Sequence, residues 1–195
     1  MSRVLRHGVI AFSIGVLALA CAPGSGAPSG SLGRPVTERL EMEPFPGWRE
    51  IADGQTRAGS RTEWVPAEQK SGEPSDRLTR EVLVGKQSVA PQAFALERLT
   101  ALTSDCLSRS NDGPRRATEE GNDVAYVELT CVRAGIRSLA ALFKVIRGHE
   151  ALYVAQREFH YLPSRADLRD ARAYLSDQVY LCPIARGSGR CAKHQ

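Results

Sequence analysis

Several kinds of chemistry lack their residues in this 195-residue chain. No G-x-S-x-G, H-E-x-x-H or P-loop pattern occurs, so nucleophile-elbow hydrolysis, zinc-protease chemistry and phosphate cradling have no motif to stand on. No C-x-x-C is present, which argues against thioredoxin-like redox exchange and removes the close cysteine pairs of a zinc site. Lysine is scarce, confined to Lys70, Lys86, Lys144 and Lys193. Aromatics make up 6% of the chain, and basic residues are scattered among acids at a net charge of +4. A nucleic-acid partner would leave a basic face with interleaved aromatics, and no such stretch occurs. No cofactor or metal is expected.

What is present begins at the N-terminus. Met1 to Gly8 carries Arg3, Arg6 and His7 and no acid, and Val9–Ala20 (VIAFSIGVLALA) is an uncharged apolar run of twelve residues. A membrane-spanning helix needs about 20 such residues, so residues 1–20 read as a cleavable export signal. Ala18-Leu19-Ala20 is a small-x-small site of the ordinary signal-peptidase kind.

The stretch Leu17-Ala18-Leu19-Ala20-Cys21 also resembles the lipobox of bacterial lipoproteins, with Ala18 where that family usually has leucine. The signal region is similar to that of the uncharacterised lipoproteins common in bacterial genomes. The resemblance implies that Cys21 is lipidated and becomes the mature N-terminus. Asp after the cysteine retains such proteins at the inner membrane; Ala22 here implies the outer membrane, facing the periplasm. Three acyl chains would hold the protein firmly, since one alone gives only reversible attachment. Residues 21–36, almost wholly Gly, Ser, Pro and Ala up to Pro35, then form a flexible tether of roughly 20 Å root-mean-square span.

Residues 37–195 suffice for one domain with a real core. Without residues 1–20, which carry two arginines and no acid, the formal charge is +2. Glu38 to Pro46 reads as an extended lead-in, and Trp48–Ala52 with Arg61–Val65 as a hairpin. Trp48 and Trp64 would cover one end of the core, or alternatively form an aromatic binding platform. Arg80–Lys86 is a third strand. Pro91 opens a helix whose stripe is Ala95, Leu99, Leu102 and Cys106, widened by Leu96 and Leu107.

Asp123–Arg133 alternates most clearly, with Ala125, Val127, Leu129 and Cys131 on one face. After a turn at Ala134-Gly135, Ser138–Ile146 and Ala151–Phe159 form a second hairpin. The former is apolar on both faces, which demands cover on both and a central place in the sheet. Ser164 and Asp167 start a second helix in capping-box fashion, with Leu168, Ala171, Leu175 and Val179 inward and Arg165, Arg169 and Arg172 in solvent. Strands then helix, twice over, predicts an α+β domain: a mainly antiparallel sheet of about six strands with two packed helices, in a two- or three-layer sandwich. In outline this resembles small envelope domains of the Mog1/PsbP type, a resemblance of fold only.

The five cysteines are Cys21, Cys106, Cys131, Cys182 and Cys191. An odd count in an exported chain leaves one thiol for other chemistry, and lipidating Cys21 leaves four. Four allow three pairings; Cys106–Cys131 and Cys182–Cys191 are the expected ones. Glu158 and His160 fall on one strand face and are the candidate acid–base pair, with a surface pair as the simpler reading. The expectation is a lipid-anchored envelope protein acting as a non-enzymatic binding or assembly module for an envelope protein or cell-wall component. An envelope hydrolase and a periplasmic small-ligand carrier are the alternatives.

Overall fold

A computed structural model describes residues 38–70, 74–133 and 138–183. The export signal, Cys21, the tether, the Ala134-Gly135 turn and the tail with Cys191 lie outside the described residues. The elements run β1 (Glu38–Glu41), β2 (Trp48–Thr56), β3 (Gly59–Pro66), β4 (Asp76–Val84), α1 (Pro91–Leu102), β5 (Cys106–Asn111) and β6 (Arg115–Glu119). They continue with β7 (Asn122–Arg133), β8 (Leu139–Arg147), β9 (Ala151–Phe159), α2 (Arg165–Asp177) and β10 (Tyr180–Pro183).

The main sheet is antiparallel, in the order β2-β3-β4-β9-β8-β7-β5, with β6 also on β7. β7 is long enough that β5 pairs with its second half and β6 with its first. β1 and β10 form a separate antiparallel pair.

β8 is buried at every residue from Leu139 to Ile146, as its two apolar faces require. On one face Ala141, Phe143 and Val145 join Val127, Leu129, Val154 and, from α1, Ala95 and Leu99. On the other, Leu142 and Ile146 join Tyr153, Phe159 and the α2 residues Ala171, Tyr174 and Leu175, with Leu40 and Leu181 from the small pair. The helices therefore cover opposite faces, and the sandwich has three layers.

The strand count departs from the expected six because β1, β5, β6 and β10 are short, and the first three of them mostly polar. Cys106 opens β5 instead of ending α1: the helix stops at Leu102, with the Thr103 amide closing on the Leu99 carbonyl. Leu96 and Leu107 do not widen the inner stripe; they are 54% and 73% exposed. The second helix starts as expected, with Ser164 Oγ accepting from the Asp167 amide and the Asp167 carboxylate accepting from the Ser164 amide.

Trp64 is buried, and Trp48 packs partly buried against the same cluster. Trp48 lies under a guanidinium rather than offering a platform: Arg157 is 5.4 Å from its ring, 4.5 Å from Phe45 and 4.7 Å from Phe159, and bonds Asp76 at 2.8 Å.

β1 is pinned by a buried carboxylate. Glu38 Oε1 accepts from the Glu150 amide at 3.0 Å and from the Tyr153 hydroxyl at 3.2 Å. Gly148 leaves room for it, since a Cβ there would stand 2.1 Å from that oxygen. Among the described residues, no helix is long and apolar enough to cross a membrane.

Candidate functional site

The α2 face of the sheet carries one full charge at its centre. Lys144 is 0% exposed, in a strand otherwise apolar up to Arg147. Its ammonium donates to Glu119 Oε2 at 2.6 Å, the Val179 carbonyl at 2.6 Å and the Leu175 carbonyl at 3.1 Å. The last carbonyls of a helix have no partner within it and carry the negative end of its dipole. Lys144 therefore caps α2 from the sheet beneath.

Burial draws its pKa below the usual lysine range, opposed by the hydrogen bond and charge of Glu119. Three acceptors surround its Nζ, so the group is committed to contacts inside the fold.

Tyr126, on β7, stands directly across from Lys144 on β8 and from Arg115 on β6. Its hydroxyl donates to Glu119, and its ring lies 5.3 Å from the Lys144 ammonium and 4.8 Å from the Arg115 guanidinium. Burial, followed by Glu119, pushes its pKa far above the normal phenol value. The row Arg115–Tyr126–Lys144 is a ring held between two cations, one of them neutralised by Glu119.

Two clefts open along α2. One, of about 610 Å³, lies between the β6–β7 turn, the end of α2 and β10. Its charged lining is acidic, from Glu119, Glu120 and Asp177, over Val124, Ile146 and Leu181. The other, of about 600 Å³, lies between β6, β7 and the outer side of α2. It carries Arg115, Arg169 and Arg172 against Asp112 and Glu128, with Tyr126, Leu142 and Leu175 also in its wall. Arg172 makes two bonds of 2.6 Å to Glu128, tying α2 to β7. Clefts of this volume match small-ligand sites.

Glu158 and His160 do come together, with the carboxylate buried and the imidazole partly exposed. Glu158 is only 9% exposed. Its carboxylate lies 3.3 Å from His160 Nε2 and 4.0 Å from Arg77, and accepts from the Gln156 amide. Burial alone would raise its pKa, yet His160 and Arg77 bring it below the usual glutamate range.

The pair sits in a polar seam on the α1 face of β3, β4 and β9. There Arg98 of α1 forks onto Glu81 at 2.6 and 2.8 Å, and Arg61 reaches Glu81 at 2.8 Å and Glu63 at 2.6 Å. The expected surface pair is corrected at its glutamate for this reason: the strand face that carries Glu158 is covered by ion-paired side chains. Neither cleft is lined by Glu158 or His160.

Cys106 and Cys131 form a disulfide joining the start of β5 to β7. Asp105 stands beside them, but with both sulfurs bonded to each other the group offers no thiolate to a metal. Cys182 is also disulfide-bonded, while Cys191, its expected partner, lies outside the described residues.

Neither motif nor periodicity in the sequence marks Lys144, Glu119, Tyr126 or Arg115 as a group. The available signal was the lone lysine in a strand apolar on both faces, which has to find acceptors inside the fold.

No protein-family model matches the chain, and no curated protein does. Among solved structures, the chain is similar to LpqN of Mycobacterium tuberculosis, described as involved in cell envelope biogenesis, at 18% identity and a TM-score of 0.48 over 77% of this chain and 87% of that one. It is similar to the cyanobacterial PsbP (CyanoP) of Synechocystis at 11% identity and 0.47, over 80% and 99%. A Pseudomonas aeruginosa protein of unknown function follows at 9% and 0.39, over 64% and 90%. A PsbP-type structure is thus among those similar to this chain. The likeness is one of outline, and no function is carried across from it.

Proposed function

We propose that the chain is an envelope lipoprotein, anchored through Cys21 to the outer membrane and facing the periplasm, whose α+β domain binds a ligand or partner without catalysing a reaction. The observation that carries this reading is the Cys106–Cys131 disulfide. Such bonds persist in oxidising compartments and are rare in the cytosol. This agrees with an export signal over residues 1–20 and a cysteine at its end. The clefts beside α2 support binding, and the saturated Lys144 and buried Glu158 support the absence of catalysis at those two places. Envelope proteins or cell-wall components are the partners such an anchor brings within reach.

Fractionation of the native host tests the anchor. The wild-type chain should incorporate labelled fatty acid and sediment with outer membranes, and Cys21→Ser should abolish both. Equal recovery of wild type and variant in the soluble fraction, without label, would overturn the reading. Crosslinking in native envelopes then identifies what the domain holds.

A further inference from the structure

We infer that the cleft lined by Arg115, Arg169 and Arg172 takes a single-chain anionic amphiphile, its phosphate or carboxylate on the arginines and its apolar chain along α2. The inference rests on the reading of the clefts as binding sites and adds the ligand's chemistry. The charges are not all equivalent. Arg172 is committed to Glu128 through two bonds of 2.6 Å. Arg169 meets Asp170 at 3.6 Å with both side chains about 70% exposed (72% and 69%), a solvated pair of little strength. Arg115 rests on the Tyr126 ring, while the carboxylate nearest that row, Glu119, is occupied by Lys144 and the Tyr126 hydroxyl. Two guanidiniums are therefore available to an oxyanion; of the two carboxylates in the lining, Glu128 is bonded to Arg172 and Asp112 also acts on Arg172.

Guanidinium forks match phosphate and carboxylate geometry. Tyr126 cannot swing away, because its hydroxyl is bonded to Glu119 and its ring lies between Arg115 and Lys144. Leu142 and Leu175, each 2% exposed, floor the cleft beneath that ring, and Ala173 stands exposed beside it on α2. The neighbouring cleft shares Ser176 but is lined by Glu119, Glu120 and Asp177. An anionic head is thus directed to one side of α2 and repelled from the other.

The test uses the full chain carrying Cys21→Ser, with amide NMR titrations of octyl phosphate, octyl glucoside, inorganic phosphate and tetramethylammonium. Octyl phosphate is expected to shift Tyr126, Ala173 and Ser176 and to bind most tightly of the four. Arg115→Ala with Arg169→Ala should weaken it about tenfold or more, with amide shifts elsewhere unchanged. Arg57→Ala, a remote exposed arginine, should leave affinity as it was. Equal binding of octyl glucoside would overturn the anionic head, and equal binding of inorganic phosphate would overturn the apolar chain. An unaltered affinity in the double variant would overturn the arginines' role, and preferential binding of tetramethylammonium at these amides the sign of the site. If no probe binds in either cleft, the reading of the clefts as binding sites falls as well.

Discussion

Single residues decide more here than the composition suggests. Lys144 holds the end of α2 and the Glu119–Tyr126 pair at once. Replacing it by methionine keeps the volume but leaves the Leu175 and Val179 carbonyls without that donor and Glu119 without its cation. The expected cost is about 2–3 kcal/mol, read as a shift in the denaturant midpoint; a loss within experimental error would contradict the capping role. The tyrosines give a pH-dependent companion. Burial, before any other cause, raises Tyr126, Tyr153 and Tyr174 well above the ordinary phenol value near 10. Above that pH the unfolded chain loses phenolic protons that the folded one keeps, so their contribution to stability is full below about 10 and declines as pH rises. Tyrosinate absorbance from these three should therefore appear together with unfolding, not before it.

At the scale of elements, the disulfide is the tie with the largest expected effect. It joins positions 25 apart in sequence, closing β5 onto β7. Replacing Cys106 and Cys131 by alanine together should cost about 3 kcal/mol in the chain-entropy model, measured by calorimetry. Strong alternation made β7 legible, and two apolar faces made β8 legible as a buried strand, because each pattern follows from covering a pleated surface.

The short edge elements carry no such pattern. Residues Leu107 to Ser110 of β5 are all exposed, and its pairing comes from backbone bonds that any side chain permits. The i, i+4 spacing of Leu102 and Cys106 continues past the real end of α1, which is set by a local turn at Thr103 rather than by hydrophobicity. β1 and β10 are four residues each and pair across most of the domain, so no local signal announces them. The candidate site was hidden for a related reason: Arg115, Tyr126 and Lys144 are cross-strand neighbours, and their register exists only once the sheet is assembled.

At the scale of the whole molecule, one sheet separates two different surfaces. The α1 side pairs its charges internally, with Glu63, Glu81 and Glu158 facing Arg61, Arg77 and Arg98. The α2 side leaves two clefts of opposite charge. Under the proposed function, the α2 side is the one that would hold a ligand. The central claim, an exported chain moored through Cys21 with its other cysteines paired, is tested most directly by the intact mass of the protein purified from its native host. The account predicts a species that lacks residues 1–20, gains diacylglycerol and an amide-linked acyl chain at Cys21, and retains two disulfides. A chain that still begins at Met1 with its thiols reduced would contradict it.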